Sequence, residues 1–216
     1  MNFSLMQEIT PLLLKAAWLT ITLSILSFIL GITVSVVLTW ARLSRLRVFR
    51  WLARAYVSVI RGTPFLVQLL IFYFATPGIR DLDPFEAGVI AIGINIGAYM
   101  SEAIRGAIIA VDKGQNEASR ALGFSRFQTM RYVVLPQAAP LMIRSFGVLS
   151  VIMIKSSSIV SAIGLLELTY RSQQLLGTTN SPLEVFGIAA VLYMTMIYGV
   201  MRCVDWLYKR STRYAQ

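Results

Sequence analysis

Five long apolar stretches, separated by shorter polar ones, set the pattern of the chain: residues 12–39, 56–76, 85–110, 141–165 and 183–206. A helix needs about 20 residues to cross a hydrocarbon core roughly 30 Å thick, so each stretch predicts a membrane span. The first has length to spare for tilt or for projection beyond the bilayer. Hydrocarbon offers no partner to an open backbone, so the spans must be helices. The pattern therefore predicts an all-α integral membrane protein with five transmembrane helices, organised as one domain over residues 1–216. No basic segment precedes residues 12–39, and that stretch is too long for a cleaved signal, so it is expected to be retained.

The longest polar interruption, residues 112–136, reads DKGQNEASRALGFSRFQTMRYVVLP. Asn116 is expected to cap a first short helix that has Glu117 in its first turn, and Gly123 suits the left-handed position that ends it. Ser125 and Gln128 have capping-box spacing and predict a second helix near 126–134, stopped by Pro136. Ala118, Ala121, Leu122, Phe124, Phe127, Met130 and Val134 give this hairpin more apolar surface than a solvated loop needs. It is expected to dock on something; the alternative is an amphipathic linker on the membrane surface.

Composition agrees with the pattern. Of 216 residues, 56% are hydrophobic and the mean hydropathy is +0.68, above the roughly 45–50% apolar content of soluble domains. The net charge of +10 would suggest a nucleic-acid partner in a soluble chain. Topology explains it here, so no nucleic acid is expected. Arg42, Arg45, Arg47, Arg50 and Arg54 follow the first span without one acid, which predicts a cytoplasmic connector. Five crossings then put the amino terminus outside and the carboxyl terminus inside, where Lys209, Arg210 and Arg213 lie. The loop with Arg80, Asp81 and Asp83 falls outside, and residues 112–136 fall in the cytoplasm. The polar segment 164–182 falls outside, either touching an external protein or closing the loop.

Histidine is absent and Cys203 is the single cysteine. That excludes an internal disulfide, a His/Cys metal cluster and a histidine-based nucleophile. No phosphate-binding loop or nucleophile elbow is present. No catalytic residue, cofactor or metal is expected.

The spans themselves carry candidate chemistry. Arg61-Gly62-Thr63-Pro64 opens the second, where Pro64 is expected to kink the helix and Arg61 to reach the headgroups. In the third, Asn95, Tyr99, Glu102 and Gly106 share one helical face. A carboxylate costs about 2.5–3.5 kcal/mol at mid-span, so that face must look inward, either to a cavity or to an ion pair with Arg105. In the fourth, Lys155 stands eleven residues beyond Arg144, about 16 Å deep at 1.5 Å per residue. Ser156, Ser157 and Ser158 follow and can return hydrogen bonds to a locally broken helix. Lys155 either faces a cavity or pairs with Glu102. Gly31, Gly93, Gly97, Gly187 and Gly199 suit close helix packing.

One pattern goes further. Glu117-Ala118-Ser119, three residues, Gly123, nine residues, Val133, one residue, then Leu135-Pro136 resembles the EAA loop of ABC importer permeases, with Ser119 for an alanine and Val133 for an isoleucine. Arg61-Gly62-Thr63-Pro64, Gly97-Ala98-Tyr99, Glu102 and Arg105-Gly106-Ala107-Ile108 resemble the polar-amino-acid branch of that family. So does the region of Lys155, although an acid often follows that lysine in the family and Ser156 follows it here.

The resemblance implies a type I importer transmembrane domain in a bacterial inner membrane, importing a polar amino acid by alternating access. Residues 112–136 would then be the cytoplasmic helix-turn-helix coupling loop. Two ATP-binding subunits, a second permease copy or paralogue, an extracytoplasmic solute-binding protein and membrane lipid are the implied partners. Glu117, Ala118, Ser119, Gly123, Leu135 and Pro136 would couple to the ATPase. Asn95, Tyr99, Glu102, Lys155, Ser156, Ser157 and Ser158 would meet the cargo, Glu102 its ammonium and Lys155 with the serines its carboxylate. A small oligomeric channel or structural membrane subunit without an ATPase would explain the spans and buried charges but not the patterned hairpin, and an intramembrane enzyme lacks catalytic residues beyond scattered acids.

Overall fold

Lipid-facing sequence folds into helices here, with no strand among the described residues. The computed structural model describes residues 3–76 and 82–212; Arg80, Asp81 and Arg213 lie outside them. Helix α1 spans Phe3–Leu43, α2 Arg47–Gly62, α3 Phe65–Leu70, α4 Pro84–Ile109, α5 Lys113–Ala121, α6 Arg126–Thr129, α7 Leu135–Ser156, α8 Leu168–Thr179 and α9 Pro182–Thr212. Among the described residues four helical stretches are long and apolar enough to cross a membrane, and a fifth counts if α2 and the bent segment after it form one broken span.

The expected boundaries hold for α4, whereas α1 is far longer than a span. Its 41 residues extend about 60 Å at 1.5 Å per residue, twice a hydrocarbon core. It packs along α4 through a glycine seam. A Cβ on Gly93 would stand 2.7 Å from Leu30 Cδ2, and one on Gly97 2.7 Å from Val34 Cβ, while Gly31 faces Ile96. Only hydrogen fits there, so the two backbones touch nearly directly. A Cβ on Gly187 or Gly199 of α9 would meet nothing within 4 Å, so among the described residues no neighbouring helix packs closely on either.

The core beside that seam joins Leu23, Leu69, Ile92, Ile96, Met100, Met153 and Val160. A second cluster, Ile9, Leu13, Ala17, Leu168, Leu175 and Val185, fixes α8 between α1 and α9. Segment 164–182 is thus not an open loop but mostly a packed helix.

The second span is broken rather than kinked. Helix α2 ends at Gly62, and the segment Phe65–Ala75 leaves at 112° to it. Pro64 biases Thr63 to extended backbone (φ −126°, ψ 149°), because its ring clashes with a helical predecessor. The arginines expected in a connector lie mostly on α2 itself.

The hairpin differs in two places. Asp112, not Asn116, caps α5, its Oδ1 accepting from Gly114 N at 2.6 Å; Glu117 therefore sits mid-helix rather than in the first turn. Pro136 does not stop the second helix. A π-helical turn over Met130–Val134 leads into α7 with Pro136 in its first turn. Proline cannot donate to the carbonyl four residues back and crowds it; the wider π turn absorbs that mismatch. The result is one helix over Arg126–Ile163.

Candidate functional site

Helix α4 brings the expected face together. Asn95, Tyr99 and Glu102 line up along it, and they meet residues of α3, α2 and α1 in turn. Asn95 Nδ2 donates to Gln68 Oε1 at 2.7 Å. Arg61 lies over the Tyr99 ring, 5.6 Å from its centroid. Glu102 accepts from Arg42 Nη1 and from Arg105 Nη2 and Nε at 2.9 and 3.1 Å, while Arg61 Nη1 stands 3.8 Å away. Tyr56 Oη donates to Ile94 O at 2.9 Å, holding α2 to the same helix.

One carboxylate thus gathers three guanidiniums. The pair with Arg105 expected from spacing is present, and the sequence reading missed Arg42, sixty residues earlier. Arg61 is not simply a headgroup anchor, since it also faces Tyr99 and Glu102. Among the described residues no ion pair joins Lys155 to Glu102; Lys155 is exposed.

Gln68 went unnoticed in an apolar run, yet it organises the break. A helix through residue 64 would bond its N–H to Ile60 O, and proline has none. Gln68 Nε2 donates to Ile60 O at 2.7 Å and to Thr63 O at 3.0 Å instead. Its spacing four residues after the proline was the available signal.

The serines behave as hydrogen-bonding groups of their own helix. Ser157 Oγ donates to Ile154 O and Ser158 Oγ to Lys155 O, each at 2.7 Å. The helix tightens into a 3₁₀ turn, Ser157–Ile163, and ends at Gly164 with φ +89°. Ser157 is wholly buried, whereas Ser156 and Ser158 are half-buried.

A carboxylate that drew no attention caps α8. Glu167, 0% exposed, accepts from Thr169 N at 3.0 Å and Tyr170 N at 2.8 Å. Tyr193 Oη of α9 donates to it at 3.1 Å. Burial holds this carboxyl above the usual glutamate value despite those donors.

The hairpin of α5 and α6 stands at the other end of the sequence logic. Gly123 has φ +81°, the left-handed value that glycine allows without strain, and both halves of the Ser125–Gln128 capping box are formed. Ser119 is 4% exposed and donates to Gln115 O at 2.6 Å. Gln137 Nε2 donates to Gln115 Oε1 at 3.0 Å, tying α5 to the start of α7. Glu117, Ala118, Leu135 and Pro136 remain exposed, with Leu122 at 77% and Phe127 at 72%. A rigid hairpin thereby presents large apolar side chains outward.

Known proteins resemble this chain in sequence and in overall fold. Residues 27–213 match the family described as binding-protein-dependent transport system inner membrane component. The nopaline transport system permease protein of Agrobacterium fabrum is 36% identical over 215 residues, covering 94% of this chain and 89% of its own. The glutamine transport system permease protein of Escherichia coli is 39% identical over 187 residues, covering 85% of each. A crystal structure of an amino acid ABC transporter with histidines superposes with a TM-score of 0.90 at 34% identity, covering 97% of this chain and 99% of that one. The family implies ATP-binding subunits and a solute-binding protein as partners, and ATP hydrolysis falls to the former. The chain belongs to the inner membrane component family of binding-protein-dependent transport systems, as a permease subunit of an ABC importer.

Proposed function

We propose that this permease moves a polar amino acid into the cytoplasm, and that residues 112–136 take the stroke of the ATP-binding subunit. The amino terminus lies outside and the carboxyl terminus inside, so the hairpin faces the ATPase. Two permease copies, identical or paralogous, enclose the pathway, and each docks on one of two ATP-binding subunits. Glu117, Ala118, Gly123, Leu135 and Pro136 form the contact, with Ser119 bracing it from beneath.

The exposed, internally braced hairpin carries this reading. Leu122 and Phe127 stay outward although burial would remove apolar area from water, which suits a partner surface. Closure of an ATPase pair would move such a body as a unit and bias the spans between two accessibilities.

The cargo class follows from the relatives' stated substrates and from charge. Asn95, Tyr99 and Glu102 supply one wall; Lys155 with Ser156 and Ser158 supplies the carboxylate partner, and Ser157, buried and bonded to Ile154 O, supports them from beneath. Glu102 is engaged by Arg42 and Arg105, so a cargo ammonium reaches it by displacing Arg61, which makes no hydrogen bond to it at 3.8 Å. Competition for uptake by a panel of amino acids, in cells holding the partner subunits, tests the cargo. Inhibition by polar amino acids and not by sugars or peptides is expected; the reverse overturns it.

A further inference from the structure

Four arginines, Arg42 of α1, Arg50 and Arg54 of α2 and Arg105 of α4, line a cavity of about 300 Å³. Glu102 neutralises part of this charge through Arg42 and Arg105. Arg50 and Arg54 meet only carbonyls: Arg50 Nη1 donates to Ser44 O at 2.7 Å and to Arg45 O at 2.9 Å, and Arg54 Nε to Arg50 O at 3.2 Å. Among the described residues neither has a carboxylate within ion-pair distance. The cavity therefore holds a surplus of positive charge in forks whose geometry matches a phosphate.

The helix that supplies two of those arginines also says what kind of phosphate. Arg50, Arg54 and Arg61 recur at i, i+4 and i+11, one stripe of α2. Val48, Leu52 and Val59 recur at the same spacing about 160° round the helix and are 65%, 50% and 62% exposed, with Trp51, 63% exposed, between the two stripes. Trp40 and Trp51 are also exposed, the residue type that settles at headgroup level. Guanidiniums on one face and exposed apolar side chains on the other suit a helix at a lipid interface, and basic pockets between spans suit acidic headgroups.

We propose that this cavity binds the phosphate of an anionic phospholipid whose acyl chains leave past Trp51 toward the apolar face of α2. The inference needs neither the cargo nor the topology proposed above, since lipid retention is read independently of transport.

The assembled transporter, with its ATP-binding subunits, is purified in detergent, washed free of loose lipid and offered phosphatidylglycerol or phosphatidylcholine. Bound lipid is counted by native mass spectrometry. Wild type is expected to keep phosphatidylglycerol at least fivefold better than phosphatidylcholine, and Arg50→Gln with Arg54→Gln to lose that preference. Inorganic phosphate in millimolar excess should leave the retained lipid in place. A photoreactive phosphatidylglycerol, which needs no substitution, should label the peptide carrying Arg50 and Arg54. Equal retention in the variant, displacement by free phosphate, labelling confined to other helices, or loss of the ATP-binding subunits with lipid unchanged would each overturn the proposal. Amino acid uptake, assayed separately, reports on the cargo reading alone.

Discussion

Asn95 of α4 donates to Oε1 of Gln68 at 2.7 Å, while Nε2 of the same Gln68 donates to Ile60 O at the end of α2. One glutamine therefore ties a transmembrane helix to the broken end of another, filling the vacancy left by the missing N–H of Pro64.

Gln68→Leu should orphan Ile60 O and the Asn95 amide together. Leaving a buried polar group without its partner costs on the order of 1–3 kcal/mol, so the unfolding midpoint of the solubilised complex should drop. Pro64→Ala restores a backbone donor to Ile60, and the double variant should lose less than the sum of the two. Additive losses would remove the substitution role of Gln68.

Glu102→Gln should destabilise more than Arg105→Gln. The Arg42 and Glu102 side chains are only 15% and 16% exposed, which puts this pair nearer the buried case, where stranding one member costs about 3 kcal/mol or more, and its loss is expected at a fraction of that. The Arg105 side chain is 48% exposed, a setting where an ion pair is worth about 1 kcal/mol or less. Thermal unfolding of the two variants in parallel gives the order directly.

Gly123→Ala should strain the hairpin by about 1–3 kcal/mol, because a side chain must then occupy positive φ. Glu117→Lys leaves the fold alone, since Glu117 is exposed. Both variants are expected to insert normally and to show cargo-stimulated ATP hydrolysis well below wild type. Unchanged stimulation in Glu117→Lys would take that residue out of the contact.

Glu167 predicts a pH dependence. Burial raises its carboxyl above the ordinary 4.5, so the folded protein holds this proton more tightly than the unfolded chain. Its contribution to stability is full below pH 4.5 and is lost as pH rises through the elevated value. Glu167→Gln should flatten the fall of the unfolding midpoint as pH rises above 4.5. It should also cost part of the α8 cap, because an amide oxygen replaces only one of the two acceptors at Thr169 N and Tyr170 N. A slope equal to that of wild type would refute the assignment.

Features set within three or four residues were legible in the sequence. The Ser125–Gln128 box and the left-handed Gly123 need nothing beyond their neighbours, and the shared face of Asn95, Tyr99 and Glu102 needs only helical period. Their partners were not legible. Arg42 reaches Glu102 across sixty residues, and a basic run reads as topology whether or not one member turns inward. Gln68 in an apolar run reads as a tolerated polar residue until the chain folds back on Asn95. Asp112 and Asn116 are both good caps, and the exit of α4 at Ile109 decides between them.

Helices α1 and α4, meshed at Gly31, Gly93 and Gly97, have no play between them. Backbones that close resist sliding, because any shift along the axis drives Leu30 or Val34 into the opposite main chain. The two must therefore tilt together as one lever, and whatever swings during a cycle has to hinge elsewhere, with the sharp corner at Thr63 and Pro64 as the nearest place that can give.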